Sequence, residues 1–135
     1  MTFDEKKEFL CSYRDAVNNI KWLQKERQNW DDIAHKITQT ITPVQGGGGV
    51  SDRVGSAAAE IAVIDAEITA EIERAQQQRE MVKAAIGTIT NRRHRTILNM
   101  IYLSGMSQFS VSCALGKTER NIQDLHRRAV DRLDI

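Results

Sequence analysis

The stretch "SGMSQFSVSCALGKTERNIQDLHRRAVDRL", residues 104–133, decides the fold. It contains two glycines, each followed two residues later by a hydroxyl side chain: Gly105 then Ser107, Gly116 then Thr118. Glycine closes a helix by entering the left-handed conformation, and a Ser or Thr oxygen accepts a free first-turn amide of the next helix. The spacing predicts a helix ending at Gly105, a short helix "QFSVSCAL" between Ser107 and Gly116, and a longer one, "ERNIQDLHRRAVDRL", from Thr118. Upstream, Thr90 or Asn91 can cap "RRHRTILNMIYLS". Three helices of which the second is very short describe a helix-turn-helix.

Such a unit needs a core on one side of each helix. Val111 and Leu115 supply it from the short helix, Ile122, Leu125, Ala129 and Leu133 from the last, and Ile97, Leu98, Ile101 and Tyr102 from the first. Ser112 and Ala114 are the small residues expected where the helices touch. Arg120, Gln123, Asp124, Arg127 and Arg128 are then left facing outwards. Arg can pair with guanine in two places, Gln with adenine, and further cations anchor phosphates. Lys117, Thr118, Glu119 and Asn121 stand at the helix start, where free amides can also hold a phosphate.

Residues 1–89 read as a helical hairpin. Ile20, Leu23, Arg27, Trp30, Ala34, Ile37 and Ile41 recur at steps of three and four, with Tyr13 and Val17 extending the stripe and Trp22 off it. "TPVQGGGGVSD", residues 42–52, interrupts with a proline and four glycines and is expected to be a loop, Ser51 or Asp52 capping the second helix. Val54, Ala58, Ile61, Asp65, Ile68, Ile72, Ala75, Arg79, Val82, Ile86 and Ile89 then keep a heptad spacing. Two such helices joined by a glycine loop fold back as an antiparallel coiled coil. Asp65 and Arg79, costly on a seam, are expected to set register or to face a partner chain. The fold class is thus all-α: a long N-terminal hairpin, residues 1–89, followed by a three-helix module, residues 90–135.

Charge separates along the same line. Residues 1–91 hold 11 Lys or Arg against 14 Asp or Glu, net −3, whereas residues 92–135 hold 8 against 4, net +4. A polyanion partner is therefore expected at the C-terminal module. "RRHR", residues 92–95, reads either as a solvated helix start or as a second phosphate clamp.

Several classes are excluded. No apolar run approaches a membrane span, and "MTFDEKKEFL" has no apolar signal core, so a cytoplasmic protein without membrane contact is expected. Cys11 and Cys113 are read as two buried free thiols. His35, His94 and His126 lack zinc spacing, and His126 is expected to touch phosphate or to pack. "GGGGVSDR" lacks the Lys and Ser or Thr of a phosphate loop. No nucleophile, base and acid arrangement is present, so neither enzyme activity, metal nor cofactor is expected.

Residues 95–133 resemble region 4 of sigma factors, the helix-turn-helix that reads the upstream promoter element. Tyr102, Gly105 and Ser107 match its "Y-x-x-G-x-S", Leu115, Gly116 and Thr118 its "L-G-x-S", and His126, Arg127 and Ala129 match "L-H-R-A" in kind. Val111 and Ile122 match its core. Phe109 and Ser110 depart from it, standing where an acidic pair is usual. With "TPVQGGGGVSDRV", the whole chain resembles short phage and prophage proteins similar to regulators of late transcription. The resemblance implies binding of double-stranded DNA, with the helix from Glu119 in the major groove and the hairpin pairing with a second copy or with RNA polymerase. A phage assembly or DNA-packaging adaptor acting through its coiled coil is the alternative.

Overall fold

The computed structural model describes residues 1–39 and 48–135, and side chains at all of these except 37–39, 48–52 and 54. Among the described residues the chain is all-helical: α1 Phe3–Gln39, α2 Gly48–Gly87, α3 Arg92–Leu98, α4 Gln108–Leu115 and α5 Glu119–Asp131. A π-helical turn, Asn99–Leu103, continues α3 without a break. Among the described residues, no helix is long and apolar enough to cross a membrane.

Two compact units form. The first joins Met1–Val17 to Arg74–Ile135, and the second is Asn18–Glu73. Within the first, Leu10, Val82, Ile86, Leu98, Val130 and Leu133 close one core, with Tyr102 and Ala129 among them. The start of α1 and the end of α2 therefore complete the interior of the C-terminal helices. Ser12 of α1 donates to Gln78 Oε1 of α2 at 3.0 Å. Leu10 and Ala16 are buried beside the expected Tyr13 and Val17, which are half-buried. Leu10 lies three residues before Tyr13 and so continues the same stripe.

The second unit pairs the rest of α1 with the rest of α2. Leu23 is buried, while Ile20, Arg27, Trp30 and Ala34 are half-buried, as their spacing predicts. Trp22 is 61% exposed. Opposite them the heptad turns out one residue out of phase. Ile61, Ile68, Ala75, Val82, Ile86 and Ile89 face inwards as expected, but Ala57, Ile64, Glu71 and Gln78 take the alternate positions along most of the helix, and Ala85 is buried beside Ile86. Ala58, Asp65 and Ile72 are exposed. Both phases contain Ile61, Ile68, Ala75, Val82 and Ile89, so spacing alone cannot choose. Asp65 thus flanks the seam, where it accepts a 2.6 Å hydrogen bond from Arg27 Nε. Arg27 also reaches Asp31 at 3.3 Å. Half-buried Arg79 lies 3.8 Å from Glu80.

The expected loop ends sooner than its composition implied, because α2 already runs from Gly48, and Ser51 and Asp52 lie inside it rather than capping it. Two glycines cost about 1 kcal/mol each in a helix, which the Ala-rich turns downstream outweigh. Thr42 to Gly47, Ile41 and the side chains of Ile37 and Val54 lie outside the described residues.

If the base of the hairpin is part of the C-terminal core, Leu10→Ala should lower stability by about 2–5 kcal/mol. Trp22→Ala should stay within about 0.5 kcal/mol. Urea denaturation followed by circular dichroism measures both.

Candidate nucleic-acid interface

The local chemistry that aims α5 is a chain of caps. Asn91, in extended backbone, accepts from the amides of Arg93 and His94 and starts α3. Gly105, at φ 73°, reverses the chain, and the Met106 amide donates to Met100 O at 3.0 Å. The Arg14 guanidinium lies over Gly105, where a Cβ would collide with it. Ser107 Oγ accepts from the Ser110 amide and starts α4. Gly116, at φ 65° and ψ 33°, ends α4, with the Lys117 amide bonded back to Ser112 O. Nothing crowds Gly116, so its requirement is the left-handed backbone itself. Thr118 Oγ1 then accepts from the Asn121 amide at 3.1 Å and opens α5.

These turns press α4 and α5 onto α3. Ile97, Val111 and Ile122 are buried together, with Met100, Ile101, Met106 and Leu125 half-buried around them. On α5, Ile122, His126 and Ala129 face inwards at steps of four and three, Leu133 just past its end continues the row, and Val130 joins them. Arg120, Asp124, Arg127 and Asp131 follow the same steps on the opposite side, all exposed. Asn121 and Arg128 are exposed on the flank shared with Leu125, Gln123 on the other flank, and Glu119 and Thr118 at the helix start. Lys117 is half-buried in the turn. The fold thus brings the nine sequence-predicted residues onto one helix and the turn before it. Among the described residues, Arg120, Asp124, Arg127 and Arg128 form no salt bridge within 4.0 Å.

Three expectations for this module are corrected. Leu115 is 38% exposed and Ala114 is exposed, because an eight-residue helix turns only Val111 and Ser112 fully inwards. Cys113 is exposed for the same reason, and Cys11 is half-buried. His126 takes the second of its two expected roles and packs in the core, its Nε2 2.6 Å from the Tyr102 hydroxyl. His94, read with its neighbours as a polar helix start, is buried, while Arg92 and Arg93 are exposed and Arg95 is half-buried. No signal in the sequence marks the burial of Val130, which follows Ala129 in the apolar period, or of His94, which stands among arginines.

Burial raises the Tyr102 hydroxyl well above its ordinary range. Burial lowers His126, with Lys7 adding repulsion. Burial also lowers His94, helped by Arg132 and Arg128. Burial thus favours the neutral form of both imidazoles; His126 meets the Tyr102 hydroxyl, whereas His94 Nδ1 is buried without a hydrogen-bond partner among the described residues.

Residues 36–134 match the model of a family described as "Protein of unknown function (DUF1492)", and the chain belongs to that family. No curated protein and no solved structure matches it.

The two histidines carry a pH prediction. Above their unfolded value of 6.5, neither the folded nor the unfolded chain is protonated at these rings. Below it, the unfolded chain takes up protons that the fold resists, so the native state loses stability as pH falls below 6.5. Urea titrations at pH 7 and 5 should show this loss, and His126→Gln should reduce the difference between the two.

Proposed function

We propose that this member of the family is a sequence-specific DNA-binding transcription regulator of phage or prophage origin, and not an enzyme. The observation that carries the reading is the outward row Arg120, Asp124 and Arg127, opposite the buried row of α5 and free of salt bridges among the described residues. A helix presented in this way, after a left-handed glycine turn and a threonine cap, fits the major groove of double-stranded DNA. Arg120, Gln123 and Asp124 read base edges. Glu119 and Asn121 stand at the groove entrance, and Lys117, Thr118, Arg127 and Arg128 position the module on phosphates. The net +4 of residues 92–135 supports the same partner.

The hairpin is the surface for pairing with a second copy or docking on RNA polymerase. Trp22 and Ile33, eleven residues apart and so on one side of α1, are 61% and 43% exposed, which supports a partner there. The same residues favour the second reading, a phage assembly adaptor acting through its hairpin. A large ring in light scattering would support the adaptor, and a monomer or dimer the regulator.

Selection from a random duplex library should yield a defined site. On that site Arg120→Ala should cost about 1–3 kcal/mol and relax one base position, while Arg127→Ala should weaken all duplexes and reduce the salt slope by about 1. Unchanged affinity and slope in both variants would refute the assignment.

A further inference from the structure

Between α3, the turn before α5 and the middle of α5 lies a cleft of about 400 Å³. Its floor is apolar: buried Ile97, half-buried Leu125 and exposed Leu115. Leu115 is 38% exposed although its position in α4 suits a core residue. Its solvent-facing side borders this cleft. The rim is cationic, with Arg92 and Arg93 from the first turn of α3 and Lys117 from the turn before α5. Thr96, one helical turn beyond Arg92, adds a hydroxyl, and among the described residues no acidic side chain lines the cleft.

An apolar floor under a rim of one charge sign specifies a ligand with two unlike parts. Hydrocarbon or an aromatic ring displaces water from Ile97, Leu115 and Leu125. A carboxylate, sulfonate or phosphate head meets Arg92, Arg93 and Lys117 through charge-assisted hydrogen bonds, which Arg makes in bidentate form. The volume falls within the roughly 300–1,000 Å³ of small-molecule sites. It suits one compact molecule better than the extended contact of a protein partner.

We propose that this cleft is a binding site for a small amphipathic anion, an apolar body carrying a single acidic head group. Lys117 is shared with the proposed DNA contacts, but the inference does not rest on that reading, and protein alone tests it. In two-dimensional NMR, octanoate should bind saturably and shift the amides of Thr96, Ile97 and Leu125, and octanol should bind about tenfold more weakly. 1-Anilino-8-naphthalenesulfonate should gain fluorescence and be displaced by octanoate. Arg93→Gln and Leu115→Gln, both at exposed positions, should each weaken octanoate about tenfold, the first by removing the head-group contact and the second by removing apolar floor. Lys83→Gln on α2 should leave affinity unchanged. Absence of saturation below about 10 mM octanoate overturns the proposal, as do equal affinities for octanoate and octanol. Shifts confined to the hairpin, or an acidic peptide that moves the same amides when octanoate moves none, also overturn it.

Discussion

Leu10 has no solvent exposure, and the residues around it come from distant parts of the chain: Val82 and Ile86 of α2, Leu98 and Tyr102 after Asn91, Val130 and Leu133 at the end of α5. The rest of the first unit depends on this contact. A module of some 44 residues exposes too much surface for its volume to be strongly stable alone. Here the base of the hairpin supplies the missing wall. The turn Asn99–Leu103 belongs to the same solution, since its wider winding carries Tyr102, whose hydroxyl meets His126 from α5. A buried tyrosine and a buried neutral histidine satisfy each other, where either alone would carry a desolvation cost.

That wall also explains why α5 is polarised so sharply. Its inward positions meet two neighbours, α3 with α4 on one side and the hairpin base on the other, so four evenly spaced residues and Val130 are buried in one turn-by-turn row. The opposite row, Arg120, Asp124, Arg127 and Asp131, stays exposed. Charged side chains there incur no desolvation cost and remain available to a polyanion.

Much of this was legible because it is local. A hydroxyl or amide side chain two residues past a helix-ending glycine, or just before an apolar period, has a stereochemical role that no distant residue alters, and Asn91, Ser107, Thr118, Gly105 and Gly116 take those roles in the structure. The features that were not legible depend on partners distant in sequence. The phase of α2 was ambiguous since Ile61, Ile68, Ala75, Val82 and Ile89 belong to either seam, and α1 decides between them. Leu10 sits in "FLC", where three adjacent apolar residues hide which one points inwards. Leu115 has the right step from Val111 for the core, but α4 ends there and the cleft opens beside it.

Asp124 tests how far electrostatics alone can account for the outward row. A surface meant only to attract phosphates gains from every added cation and loses from every acid. Here a carboxylate stands between Arg120, four residues before, and Arg127, three residues after, yet within 4.0 Å of neither. An ion pair with either would have explained its presence as simple neutralisation. In the DNA-binding reading, the unpaired carboxylate weakens attachment to any duplex equally and repels phosphate wherever α5 sits too close to the backbone. The loss is recovered only where a donor such as the cytosine amine meets the carboxylate in the major groove. In the DNA-binding reading, Asp124 therefore lowers general affinity while raising the difference between one sequence and another, and that difference is what a regulator requires.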